Sequence, residues 1–359
     1  MSSNRYDPNP SMLWCIWQAL RGTNNTTLQE VDVVDQNIQG KWIIITGANS
    51  GIGREAAKIF ARLGAHLILA CRDPPKHELH PHEVAQECLE LSVAAGYRST
   101  IEWWFLDMSD LASVEMFAQR WLKSGRTLDI LCNNAGMSSY SQAPLITKDG
   151  FGIIHQVNFL SHVFLTLSLL ESMAQSPEPR IVCTTSCHHF LGKYDLENFD
   201  GTMPTTKGNL YGNNKLYYQI WIGEFQRRLL NSTKFRHVTV NGVNPGYVNT
   251  DIWNDATRKG ANSYSETFFK FLAYYLGISP TQGCLAIVHA AASIEFGPNA
   301  MSQGVGSSVS QGGGHYINRT WRAEPMPHCK DATIKAEVWD KVIAELTTKH
   351  WKLDVLGVL

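Results

Sequence analysis

The sequence predicts a single-domain, doubly wound α/β fold: a parallel sheet with helices on both faces. Short, continuous apolar runs alternate with longer amphipathic stretches from Lys41 onward, the pattern of strands joined by crossover helices. A glycine-rich loop joins the first run to the first amphipathic stretch. No internal repeat or composition shift divides the chain.

Residues 1–40 are polar and rich in Asn, Thr, Asp and Gln, and read as an extension preceding the domain. Within them Met12–Leu20 is apolar but interrupted by Gln18. It is far too short to span a bilayer, and it has neither a basic leader nor a small-residue cleavage site. A short helix lying on the body of the protein is expected there, with peripheral membrane contact as the alternative.

The regular pattern opens at Lys41–Thr46, an apolar run of the kind a strand buried on both faces shows, followed by a helix over Gly51–Leu63. Strands are predicted at His66–Cys71, Ile101–Leu106, Leu128–Cys132, Arg180–Thr185 and His237–Val243. Helices are predicted near His82–Ala95 and at Leu111–Leu122, Ile153–Met173 and Tyr211–Leu230. The domain then covers residues 41–320, with a substrate-loop region at 251–280 and a C-terminal helical tail over 321–359.

With 44% apolar residues, 18% charged residues and a formal net charge of −1, the chain has no strong field to attract nucleic acid or an anionic membrane. Its eight cysteines are scattered and form no CxxC pair, which suits reduced thiols in a cytoplasmic protein.

The loop Thr46-Gly47-Ala48-Asn49-Ser50-Gly51-Ile52-Gly53 lies between a strand and a helix. Gly47 permits a tight turn, Gly51 lets backbone approach a pyrophosphate, and Gly53 lets the helix pack on the strand. The helix N-terminus offers free N–H groups to the phosphates. Past the second strand, Arg72 replaces the acidic residue that would bind a ribose 2′-hydroxyl, so its guanidinium suits the 2′-phosphate of NADP(H). Asp73 dissents, since it can pair with Arg72 or bind a ribose itself. Asp107, after the third strand, is a candidate acceptor from adenine or an N-cap for the next helix. Asn133-Asn134-Ala135-Gly136, past the fourth strand, can line the cofactor groove or form an ordinary turn. Pro245, Gly246, Val248 and Thr250 follow the sixth strand and would face the nicotinamide, though Pro-Gly is also a common turn signal.

Tyr211 and Lys215 are four residues apart on a predicted helix, hence on one face. A free phenol ionises near ~10, and a neighbouring ammonium lowers that value and favours the phenolate. Tyr211 is therefore a candidate acid/base group for an alcohol/carbonyl pair. Ser186 is placed to hold the substrate oxygen by a hydrogen bond, with Thr185 competing for that task. Asn158 sits in an apolar helix where a buried amide needs partners; a water linking it to Lys215 is one solution and ordinary core bonding the other.

These motifs arrive at successive strand ends, and together they resemble the short-chain dehydrogenase/reductase family over roughly residues 40–320. The strings TGANSGIG at 46–53, NNAG at 133–136 and NPGYVNT at 244–250 carry the resemblance, with Asn158, Ser186, Tyr211 and Lys215. LILACRD at 67–73, VNFLSHVFLTLSLL at 157–170 and RIVCTTSCHH at 180–189 are similar to the retinol-dehydrogenase-like and WW-domain-oxidoreductase-like branch. The resemblance implies a Rossmann-like sheet of seven strands, a catalytic tetrad of Asn158, Ser186, Tyr211 and Lys215, and NADP(H) selected by Arg72. It also implies pairing between protomers through the helices at Leu111–Leu122 and Tyr211–Leu230, which the tail could obstruct. Cys183-Thr184-Thr185 departs from the usual Asn-Val-Ser, and the N-terminal membrane helix usual in the retinoid enzymes is missing. Extra length and the tail resemble fungal short-chain reductases of secondary metabolism.

Between Asp251 and Pro280 the chain is aromatic, with Trp253, Tyr264, Phe268, Phe269, Phe271, Tyr274 and Tyr275. That suits a lipophilic substrate, a buried core or a dimer surface. His77, His80 and His82 have no partner in zinc spacing, so no metal is expected. The expected activity is NADP(H)-dependent carbonyl reduction or alcohol oxidation. A non-redox isomerase, dehydratase or cyclase on the same fold, and an NADP(H)-binding regulatory protein, are the alternatives.

Overall fold

The computed structural model describes residues 10–24, 26–75, 79–138, 144–204, 209–250, 277–298, 312–348 and 353–359. Their strands are β1 (Trp42–Thr46), β2 (His66–Cys71), β3 (Ile101–Phe105), β4 (Ile130–Asn133), β5 (Arg180–Thr184), β6 (Thr239–Asn244), β7 (Tyr316–Asn318) and β8 (Trp321–Ala323). They form one 8-stranded sheet in the order β3-β2-β1-β4-β5-β6-β7-β8. β1 to β7 pair in parallel, and β8 turns back antiparallel to β7. The sheet thus has one strand more than the expected seven.

Side-chain alternation explains why the strands read as unbroken apolar runs. Ile43 and Ile45 enter the core on one face and Ile44 the core on the other; Leu67 and Leu69 oppose Ile68 in the same way. One face is covered by α2 (Gly51–Arg62), α3 (Pro81–Ala94) and a later helix at Pro280–Ala292. The other is covered by α4 (Leu111–Lys123), α5 (Ile153–Met173) and α6 (Leu210–Asn231). In chain order the Pro280–Ala292 helix is α7, and the last long helix, Ala332–Thr348, is α8.

α5 is long and apolar enough to cross a membrane, but most of its side chains are buried in the core. It is not continuous: a π-turn over Gln156–Leu160 interrupts it, with Asn158 inside the widened turn.

Both ends of the chain pack on this body. A helix at Met12–Arg21, α1, is capped by Ser11 and buries Cys15 and Ala19. Trp14 meets Phe190 edge-on, with ring centroids 5.8 Å apart. At the other end, Trp339 of α8 stacks against Trp221 and Phe225 of α6, and the Arg228 guanidinium lies 4.3 Å from the Trp339 ring centre. The tail therefore packs on α6, one of the two helices through which the resemblance implies pairing. All eight cysteines are buried and unbridged.

Candidate active site

The strand order reverses between β1 and β4, and in an open α/β sheet the crevice at that point is where ligands bind. The glycine loop leaves β1 there. Gly47 and Gly51 have φ of 66° and 53°, in the left-handed region that favours glycine. A Cβ on Gly47 would lie 2.9 Å from Ala135 Cα, and one on Gly53 would lie 2.3 Å from the Gly47 carbonyl oxygen. The loop is thus pulled down onto the β4 end, leaving the N-terminus of α2 facing the crevice. Ser50 at that N-terminus is exposed and makes no side-chain cap bond, while Asn49 is half-buried. These features fit a dinucleotide's phosphates.

Asn134 has a different task from lining a groove. Its Nδ2 donates to the carbonyl oxygens of Thr46 (2.9 Å) and Gly47 (3.3 Å), and its main-chain N–H donates to Thr46 Oγ1 (2.8 Å). It braces the glycine loop, while Ala135 and Gly136 form the wall. Ile52 and Val248 also turn away from the crevice, because both side chains close on Gly283 of α7. Only their main chains can face a ligand.

Arg72 and Asp73 are exposed beyond β2. Asp107 is no N-cap: Asp110 takes that role, accepting from the Ala112 N–H at 3.0 Å. Asp107 Oδ1 instead accepts from the Ser109 N–H and hydroxyl, at 2.8 and 2.7 Å. His80 and His82 stack on each other and edge-on against Trp103, whereas His77 lies outside the described residues.

Burial separates the candidates at the end of β5. Thr184 and Thr185 are interior, with Thr185 only 2% exposed, while Ser186 is half-exposed. Ser186 ends the strand by capping a 3-10 turn over Cys187–Leu191, and its Oγ accepts from the His188 N–H at 3.2 Å. This turn packs on the first turn of α6, where the Gly192 Cα leaves no room for a side chain against the Gly212 carbonyl. The His188 ring then stands edge-on to the Tyr211 ring at 5.5 Å, joining the serine to the tyrosine. Tyr211 is half-exposed in the first turn of α6, which Asn209 caps.

Lys215 is buried one turn further on. Its Nζ donates to the Thr184 carbonyl at 2.8 Å and lies 5.5 Å from the Tyr211 ring centre. The Asn158 side chain is held by Met137, accepting from the N–H at 2.8 Å and donating to the carbonyl at 2.7 Å. The asparagine therefore fixes the wall beyond Gly136.

Burial, reinforced by the Lys215 charge, pushes His188 down to about 4. Burial also pushes Lys215 down, to about 8. The imidazole beside Tyr211 is thus neutral at pH 7.

Beyond β6, Pro245 is buried and Gly246 has φ 89°. The Thr250 methyl comes to 3.4 Å from where a Gly51 Cβ would stand, so this turn reaches back to the glycine loop. The aromatic positions Trp253 to Tyr275 lie outside the described residues.

A family model described as short chain dehydrogenase matches residues 41–261. Mouse "Retinol dehydrogenase 12" is 35% identical over 263 residues, covering 73% of this chain and 76% of that protein. The chain belongs to the short-chain dehydrogenase family. The match and the relatives make it an oxidoreductase acting on an alcohol/carbonyl pair with a nicotinamide dinucleotide. Human "Polyprenol dehydrogenase" is 27% identical, with 83% of this chain and 82% of that protein covered. In fold, the chain is similar to an uncharacterised protein of Mycobacterium paratuberculosis, with a TM-score of 0.63 at 23% identity over 90% of this chain and 98% of the other. It is also similar to the L-sorbose reductase of Gluconobacter frateurii, solved with NADPH and L-sorbose, with a TM-score of 0.56 at 20% identity over 79% and 96% of the two chains.

Sequence reasoning missed His188, which packs on Tyr211, and Asn244 and Arg319, which bind main chain beside Ser186 and at Pro245. His188 and Asn244 stood inside quoted motifs, so their proximity to Ser186 and Pro245 was a usable signal. Arg319 carried none, since its partners are main-chain carbonyls far away in sequence.

Proposed function

We propose that this short-chain dehydrogenase is an NADP(H)-dependent reductase of a ketone or aldehyde on a lipophilic small molecule, running in reverse as an alcohol dehydrogenase. The observation that carries it is that Tyr211, half-exposed on the first turn of α6 and backed by the buried Lys215 cation, packs on His188, whose N–H binds the Ser186 hydroxyl oxygen.

A bound dinucleotide would supply or accept the hydride; the protein's own residues handle the oxygen and its proton. The Ser186 hydroxyl, whose oxygen accepts from the His188 N–H, keeps its proton to donate to the substrate oxygen. The Tyr211 phenol gives up its proton to that oxygen, and the Lys215 ammonium favours the phenolate left behind. Lys215 is held for this by the Thr184 carbonyl. Thr185 is too deeply buried to compete with Ser186.

Arg72 supports the choice of NADP(H): it is exposed beyond β2, where a 2′-phosphate would be met by a forked guanidinium. The relatives named for retinol and polyprenol support a lipophilic alcohol or carbonyl substrate. The test is full-length protein with NADPH and a panel of hydrophobic ketones and aldehydes. Loss of nicotinamide absorbance matched by alcohol formation is expected. Product without cofactor consumption, or NADPH binding without product across the panel, would overturn the proposal.

A further inference from the structure

The polar residues that end β6 and β7 form a network that the reaction above does not use. Arg319 follows β7 and is 0% exposed. It is a non-glycine residue with φ 62°, so its backbone is strained as well as buried. Among the described residues no carboxylate pairs with its guanidinium. Nη1 donates to the Pro245 carbonyl at 3.0 Å, Nη2 donates to the Thr26 carbonyl at 3.2 Å, and Nε has no partner among the described residues. Burial pushes this arginine down to about 10, which leaves it a cation at neutral pH.

An uncompensated buried cation is costly, and a two-stranded turn does not need one. What Arg319 gains is its position under Pro245 and Gly246. A Cβ on Gly246 would lie 3.0 Å from Arg319 Cδ, so the cofactor-facing turn rests on the arginine side chain.

The two asparagines beside it act on the same segments. Asn244 Oδ1 accepts from the Cys187 N–H at 3.1 Å, one residue after Ser186. Its Nδ2 donates to the Gly22 carbonyl at 2.8 Å and to Asn318 Oδ1 at 2.9 Å. Asn318 Nδ2 donates in turn to the Arg21 carbonyl at 3.3 Å. Asn244 thus ties the Gly22 carbonyl at the end of α1, where a helix dipole is negative, to the serine loop, while Arg319 ties the Thr26 carbonyl to the Pro245 turn.

We propose that Arg319, with Asn244 and Asn318, is a positioning network through which the carbonyls of Arg21, Gly22 and Thr26 hold the Pro245–Gly246 turn and the Ser186 loop in register with the bound dinucleotide. The segment before the sheet is then a working part of the active site. The proposal rests on the dinucleotide reading of the crevice, and it makes cofactor binding and the ordering of Arg21, Gly22 and Thr26 mutually dependent.

Amide hydrogen exchange of the full-length protein with and without NADPH tests this without any substitution. Slower exchange is expected at residues 47–53 and also at residues 21–27. Protection at 47–53 with no change at 21–27 would overturn the proposal and leave the cofactor reading intact. No protection at 47–53 would overturn both. As a second arm, Arg319→Lys keeps the charge but cannot fork to two carbonyls. It is expected to raise the NADPH dissociation constant about tenfold, read by nicotinamide fluorescence on protein whose circular dichroism is native. A wild-type dissociation constant in that variant would contradict the proposal; if the variant does not fold, the exchange experiment decides.

Discussion

Lys215 holds its ammonium 5.5 Å from the centre of the Tyr211 ring and fastens it to the Thr184 carbonyl at 2.8 Å. Burial pushes this lysine down to about 8, against ~10.4 for a lysine in an unfolded chain. The unfolded state therefore binds more protons between those two values, and stability should rise with pH across that window while Lys215 contributes no slope below it. Activity runs the other way, because the mechanism needs the cation. We expect kcat/KM for reduction to fall on the alkaline side with an apparent pKa of about 8. A rate profile from pH 6 to 10 that stays flat would contradict the assignment of Lys215.

Arg72 stands exposed at the end of β2. Arg72→Glu should lower kcat/KM with NADPH by about 10- to 100-fold, the loss expected for a charge-assisted hydrogen bond to phosphate, and should leave NADH much less affected. The ratio of the two specificity constants is the measurement. An unchanged ratio would remove Arg72 from cofactor choice.

Gly53→Ala sets a methyl group 2.3 Å from the Gly47 carbonyl oxygen and 2.4 Å from Asn134 Nδ2. Both are parts of the brace that shapes the glycine loop, so neither can yield without reopening the crevice. Urea unfolding should show a loss of about 1–3 kcal/mol, and dinucleotide binding should weaken in the protein that remains folded. Full binding in the variant would mean that the loop is not the cradle described.

The sheet and the loops that carry the candidate residues were readable for related reasons. β1, β2, β4 and β5 are buried on both faces, so each appears as an unbroken apolar run, and the loops after them carry the chemistry that an open α/β sheet gathers at one edge. β7 and β8 escaped notice because Tyr316–Asn318 and Trp321–Ala323 are too short for usable periodicity, and β8 is a partly exposed edge strand. The π-turn around Asn158 leaves the apolar pattern of α5 intact, so it too was invisible. Asp107 and Asp110 were confused because both precede Leu111 within one turn, and only the chain's path decides which aspartate meets the Ala112 N–H. Arg319 belongs to another class: its role depends on main-chain atoms at Thr26 and Pro245, which no local pattern encodes.

The C-terminal helix offers a prediction independent of the chemistry. Trp339 is 4% exposed and stacks on Trp221 and Phe225. Trp339→Ala should cost about 3–5 kcal/mol of stability, visible as a lower melting temperature. The dissociation constant for NADPH in the folded fraction should be unchanged. A melting temperature equal to that of the wild type would show that α8 adds little to the core.

Proton transfer from the Tyr211 phenol is tested most directly by Tyr211→Phe, which removes one oxygen and leaves the ring beside His188. NADPH oxidation with an active ketone should fall by about 100-fold or more, while the NADPH dissociation constant stays within about twofold, well below the tenfold that ~1.4 kcal/mol would produce. A phenylalanine variant that retains most of its turnover would contradict this account of the site.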